Sequence, residues 1–136
     1  MKLLHIITPV KDSLDSTLET ARAIMGSDLQ VPHTYTIYND FSTPENTERL
    51  KQAAEEMGFR LVNLSDLTCH PSPNYLLILQ REREACLQDE AGLLIVESDV
   101  EETIKNMGYI GKIGMKQTDK EILNVMIDKV DVDACL

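Results

Sequence analysis

The chain has 136 residues, 43% hydrophobic and 26% charged, with a formal net charge of −10. That length holds one domain with one core, and the composition is that of a soluble globular protein rather than a disordered or membrane one. The acidic balance argues against nucleic acid as a partner, because phosphate-backbone affinity comes mostly from Lys and Arg, and an anionic ligand would need a local counter-charge such as a carboxylate-bound divalent cation.

Leu3 to Ile7 is an apolar run closed by Thr8-Pro9, which predicts a buried strand ending where proline removes a ladder donor. Leu14, Leu18, Ala21 and Met25 then recur at helical spacing behind a cap at Asp12 or Ser13, and Gly26 stands where a helix is commonly closed. His33 to Tyr38, β-branched and aromatic, predicts a second strand that ends at Asn39-Asp40. Thr43 as N-cap, Pro44 at the first helical position and Glu45 in the first turn start a helix that Gly58 stops. Phe59 to Leu64 alternates weakly, as expected of a third strand nearer a sheet edge. Ser72-Pro73 repeats the cap-and-proline device before a helix from Asn74 to about Asp89, with Leu76, Leu79, Arg83, Cys86 and Leu87 along one side. Ala91 to Val96 is the fourth strand.

Strands alternating with helices predict an α/β fold: a mainly parallel sheet with helices on both faces and right-handed crossovers. Ligands bind such sheets beyond the carboxyl ends of the strands, near a switch in strand order. Thr8 to Asp12, Asn39 to Ser42 and Glu97 to Asp99 are polar groups suited to that place. The pattern changes afterwards. Gly108, Gly111 and Gly114 are spaced GxxGxxG rather than GxGxxG, which predicts a flexible turn and not a phosphate cradle. Thr118-Asp119-Lys120-Glu121 is a capping box ahead of a helix with Ile122, Met126, Ile127 and Val130 on one side.

No segment approaches the roughly 20 apolar residues that span a bilayer, and the opening apolar run is too short for a signal-peptide core, so a cytoplasmic protein is expected. Cys69, Cys86 and Cys135 show no CxxC or Cys/His ligand spacing, which predicts reduced thiols. His5, His33 and His70 have no partners at ligand spacing and are expected as core or surface histidines. Arg81-Glu82-Arg83-Glu84 reads as a solvated helix face.

Taken in order, the polar strand ends resemble those of family 2 glycosyltransferases, the nucleotide-diphospho-sugar transferases of GT-A fold. Ile6-Ile7-Thr8-Pro9-Val10-Lys11-Asp12 resembles their opening strand and loop, usually written I-I-x-P-x-Y-N, with Lys11 and Asp12 in place of Tyr-Asn. Tyr38-Asn39-Asp40-Phe41-Ser42-Thr43-Pro44-Glu45 is similar to the V-D-D-G-S-T-D loop that receives the base and its ribose. There Asn39 replaces the first acid and Phe41 the glycine, while Asp40 and Ser42 match. Ala91 to Asp99 resembles the strand leading into the D-x-D metal motif. The resemblance covers residues 3 to about 105. It implies a nucleotide-sugar-binding GT-A-like (Rossmann-like) half-domain at 1–107, with a glycine-rich turn and C-terminal helix at 108–136 that the family does not match. A typical member continues further and supplies an acceptor site and an acidic catalytic base. No counterpart follows Met107, so no catalytic residue is assigned.

The resemblance implies Mg²⁺ or Mn²⁺ as cofactor, with Asp99 its direct ligand and Glu97 contacting ribose or metal-bound water. The chemistry is apt: a leaving diphosphate accumulates negative charge, and a hard cation held by carboxylate oxygen stabilises it. The plainer reading of Glu97 and Asp99 is a solvated strand end. Asp40 is expected to accept from a base N–H or a ribose hydroxyl, or else it or Ser42 caps the following helix. Thr8 and Pro9 line the nucleotide pocket through backbone groups, or Pro9 simply ends a strand. Asp12 meets ribose or caps a helix. As a whole, the chain is expected to serve sugar transfer from a nucleotide-diphosphate sugar to a glycan or lipid acceptor. The competing readings are a truncated, non-catalytic nucleotide-binding module, and a phospho-receiver domain of the same doubly wound class. A half-domain would also leave apolar surface that the terminal helix covers or that drives self-association.

Overall fold

The computed structural model describes residues 3–96. Strands β1 (Leu4–Val10), β2 (His33–Asn39), β3 (Arg60–Asn63) and β4 (Gly92–Ile95) alternate with helices α1 (Leu14–Met25), α2 (Pro44–Met57) and α3 (Tyr75–Asp89). All the pairings are parallel, in the order β3-β2-β1-β4. This is the expected α/β architecture, Rossmann-like in strand order, with β3 at an edge. A receiver domain sets β1 between β2 and β3. Here β1 lies between β2 and β4, which removes that alternative.

β1 continues through Thr8-Pro9 to Val10, past the expected end. The reason lies in which way each residue points its polar groups. The Ile7 carbonyl accepts from Val96 N–H at 2.9 Å on the β4 side, whereas the Val10 carbonyl accepts from Asp40 N–H at 2.8 Å on the β2 side. Pro9, two residues after Ile7, therefore lacks a donor only toward β4, where the pairing has ended at Ile7↔Ile95. The β2 ladder runs on through Pro9↔Tyr38 and Val10↔Asn39.

Alternation along β1 divides the interior into two layers. Leu4, Ile6 and Val10 pack with Leu14, Leu18 and Ile24 of α1, Leu50 of α2 and Tyr35, Ile37 and Phe59. Ile7 faces the other way, onto Tyr38, Leu64 and the α3 residues Ile78 and Cys86. Burying each large aliphatic side chain contributes about 1.5–3 kcal/mol, so these two layers hold α1 and α2 to one face and α3 to the other. The α2 signals act as expected. Thr43 Oγ1 accepts from Asn46 N–H at 3.2 Å, Pro44 opens the helix, and Gly58 ends it with φ of 85°. α1 is capped by Ser13 without a side-chain hydrogen bond and ends at Gly26.

The buried seam of α3 differs from the expected one. It is Ile78, Glu82 and Cys86, while Leu76 is 81% and Leu87 55% exposed. A carboxylate occupies the sheet-facing row, so an apolar-only reading rotates the helix onto the wrong side. The partner is His5 of β1, whose Nε2 lies 3.1 Å from Asp89 Oδ2 and Nδ1 3.7 Å from Glu82 Oε2. Burial, opposed by His5, pushes the Glu82 carboxyl above its usual range. The solvated face expected for residues 81–84 therefore holds for Arg81, Arg83 and Glu84 but not for Glu82.

Among the described residues, no helix is long and apolar enough to cross a membrane. Glu97, Asp99, the glycine run and the segment from Thr118 to Val130 lie outside the described residues.

Candidate functional site

A cleft of about 210 Å³ opens beyond the carboxyl ends of β1 and β2, lined by Pro9, Val10, Lys11, Asp40, Pro73, Tyr75 and Ile78. A groove of about 330 Å³ also runs between α1 and α2, lined by Asp15, Leu18, Glu19, Arg22 and Arg49. The smaller cleft is the better candidate because parallel sheets present their ligand sites at strand carboxyl ends.

Two loops beside this cleft are clamped to each other. Asp12, at φ of 62°, donates its N–H to Ser42 Oγ at 2.9 Å. Its Oδ1 accepts from Thr43 N–H at 2.7 Å and from Asn46 Nδ2 at 3.0 Å. Asp12 therefore braces the head of α2, through the N–H of its cap residue Thr43 and the side chain of Asn46, rather than capping the helix that follows it. Those bonds, from Asn46 first and then Thr43, hold its carboxyl below the ordinary value. Ser42 N–H in turn donates to Asn39 Oδ1 at 3.1 Å. Asn39 Nδ2 donates to Thr47 Oγ1 and to Asn63 Oδ1, both at 2.9 Å. A carboxylate at position 39 is acceptor-only and could make neither donation, which gives the amide a physical reason to stand where the resembled loop has an acid. Phe41 adopts φ of 65°, a left-handed conformation that glycine takes without steric cost, at the position where that loop has glycine.

Asp40 is 7% exposed. Its Oδ2 accepts from Ser72 Oγ at 2.9 Å and from Asn74 N–H at 2.8 Å, and its Oδ1 accepts from Asn74 Nδ2 at 2.8 Å. Asn74 is the residue at the head of α3, and its side chain also donates to the His70 carbonyl at 3.0 Å. Asp40 thus fastens the start of α3, where a negative charge is favourable, and so sets the Pro73–Tyr75 wall of the cleft. Thr8 is fully buried, and its Oγ1 accepts from Tyr35 O–H at 2.7 Å in the layer under α1 and α2. Burial raises the Tyr35 phenol above its usual range.

Of the expected site residues, Pro9 and Asp40 line the cleft, Asp12 and Ser42 are bonded together beside it, and the Thr8 side chain is buried behind it. Glu97 and Asp99 lie outside the described residues. Val96, just before them, is bonded to Ile7 in β1. Among the described residues, no group of three or more His, Cys, Asp or Glu is placed to hold a metal ion. Val10, Lys11, Pro73, Tyr75 and Ile78 line the cleft without having been expected as site residues. Ser72-Pro73-Asn74 carried the signal, since a helix start coming just before the fourth strand of such a sheet lies at the carboxyl end.

A parallel sheet in this order, helices on both faces and a cleft beyond the strand ends define a Rossmann-like α/β protein. No protein-family model matches the chain. Over 35 residues, 26% of the chain, it is 57% identical to a UPF0597 protein of Desulfitobacterium hafniense, and over 40 residues, 29% of the chain, 50% identical to a UPF0597 protein of Finegoldia magna. The chain spans only 8% and 10% of the length of those relatives. Among solved structures it is similar to S. aureus TarS 1–349, with TM-score 0.47 and 18% identity, covering 80% of this chain and 32% of that one. A second TarS 1–349 structure, in complex with UDP-GlcNAc, gives TM-score 0.47 and 17% identity over 80% and 30% of the two chains.

Proposed function

We propose that the chain is the nucleotide-sugar-binding half of a cytoplasmic GT-A-type glycosyltransferase, serving sugar transfer to a glycan or lipid acceptor. The observation that carries this is the meeting of two motif-bearing segments in one strand-end cleft: Pro9 at the end of β1 and Lys11 in the loop after it line the cleft together with Asp40 from the β2 loop. The positive φ of Phe41 supports the same reading, because the backbone shape of a glycine-bearing loop persists without the glycine. The base of the donor lies in the cleft, and its diphosphate extends toward the end of β4, where Glu97 and Asp99 follow in sequence. Mg²⁺ or Mn²⁺ held there by Asp99 would supply charge neutralisation for the diphosphate. This chain's own described residues contribute the pocket walls, the clamped loops and the lysine.

A specific observation favours a binding module over a complete enzyme. Asp40 is the only carboxylate lining the cleft among the described residues, and its oxygens are engaged by Ser72 and Asn74, so it is not placed to take a proton from an acceptor hydroxyl. Calorimetric titration of UDP and GDP, with Mg²⁺ or Mn²⁺ and then with chelator, tests the reading. Binding that requires the metal, and that Asp99→Ala weakens more than Asp12→Ala, is expected. Equal binding in both conditions, or none with metal, overturns it.

A further inference from the structure

Among the described residues, Lys11 is the only cationic side chain lining the strand-end cleft, whose walls are otherwise proline, valine, isoleucine and tyrosine together with the Asp40 carboxylate. Three donors already occupy Asp40, and its backbone N–H is spent on the Val10 carbonyl. A ring entering the cleft therefore meets a nearly saturated acceptor and an ammonium with three donor hydrogens. The lysine backbone is held on both sides. Val10 before it is the last residue of β1, and Asp12 after it is bonded to Ser42, Thr43 and Asn46. The cleft lies between β1, β2 and the start of α3, and β4 lies on the other side of β1, so in the binding mode proposed above Lys11 stands on the side of the base, away from the end of β4.

We propose that Lys11 is a specificity-determining residue that selects the nucleobase by donating to the ring carbonyl at position 4, the 2-carbonyl being common to uracil and cytosine. Uracil presents a carbonyl at the position where cytosine presents an amino group, so the cleft favours the first and sets a cation against a donor in the second. The inference rests on the nucleotide-binding reading above and goes beyond it, since the resembled motif has tyrosine at this position.

Kd values for UDP and CDP, measured by calorimetry with Mg²⁺ on the full chain and on Lys11→Met and Lys11→Arg, test it. Lys11 is exposed, so both variants should fold, and circular dichroism checks this. UDP is expected to bind about tenfold or more tighter than CDP in the wild type and in Lys11→Arg, with the ratio falling to within about twofold in Lys11→Met. Equal weakening of both nucleotides in Lys11→Met, the signature of a phosphate contact, overturns the proposal. So does a wild type that binds UDP and CDP alike. Either result leaves the nucleotide-binding reading standing, whereas failure of the wild type to bind any nucleotide removes both.

Discussion

Replacing Asp40 with alanine should be the most damaging single change at the cleft. The carboxylate is 7% exposed and accepts from Ser72 Oγ, Asn74 N–H and Asn74 Nδ2 at 2.8–2.9 Å. Hydrogen bonds to a charged group contribute about 1.5–3 kcal/mol each, but bonds sharing one acceptor group are not additive. Asn74 Nδ2 also keeps its bond to the His70 carbonyl. The expected cost is therefore about 3–4 kcal/mol, dominated by the buried Asn74 N–H left without its partner. Small domains are stable by roughly 5–15 kcal/mol, so this is a large share of the total. With a urea dependence of about 2 kcal/mol/M, the unfolding midpoint should fall by roughly 1.5–2 M at unchanged slope. Urea titration of the full chain followed by circular dichroism measures this. Ser72→Ala removes one bond of the three and should cost about 1 kcal/mol, and the double variant should show coupling above roughly 0.5 kcal/mol. An Asp40→Ala chain within about 0.5 kcal/mol of wild type would refute the assignment of Asp40 as the fastening of α3.

The bonds from Asn46 and Thr43 hold the Asp12 carboxyl below its ordinary value of 3.8 in the folded chain, so its stabilising effect is present above that value and is lost as the pH falls through the folded one. Asp12→Asn, which keeps an acceptor but not the charge, should therefore trail wild type in urea midpoint at neutral pH and converge with it in acid. A gap that does not change with pH would contradict this. Phe41→Gly releases a left-handed residue, worth about 1–2 kcal/mol, but loses partial packing against the buried layer under α3 and adds chain entropy, so its net effect should stay within about 1 kcal/mol. Phe41→Val loses the packing and keeps the strain on a stiffer side chain. Its thermal midpoint should lie clearly below that of Phe41→Gly, and the reverse order would defeat the argument.

Strand and helix order was legible because period-two and helical spacing, helix caps and prolines all act locally. Thr43, Pro44 and Gly58 carry out the roles their chemistry suggests. What sequence obscured came from contacts between distant residues. The His5–Glu82 pairing places a carboxylate in a buried helix row, and no local pattern announces it. Pro9 ended one ladder and not the other, a distinction that exists only once β1 has a neighbour on each side. Asp12 and Asp40 were recognisable as polar groups at strand ends, but each is bonded to the N-cap residue of a helix other than the next in sequence, across 31 and 34 residues respectively. The cleft wall from Pro73 to Ile78 was missed because an apolar lining gives the same sequence signal as a core.

The mutual clamp of the Asp12 and Ser42 loops has a thermodynamic consequence for any molecule that enters beside them. Ordering one backbone residue costs about 1–2 kcal/mol, and a loop that must be ordered by its ligand subtracts that amount from affinity. Here Ser42 holds Asp12, Asp12 holds Thr43 and Asn46, and Asn39 holds Ser42. The ordering is accomplished when the chain folds, so association should proceed with little loss of main-chain freedom on this side of the cleft. The two loops then behave as one rigid lip, and a substitution in either should be felt by a ligand touching the other.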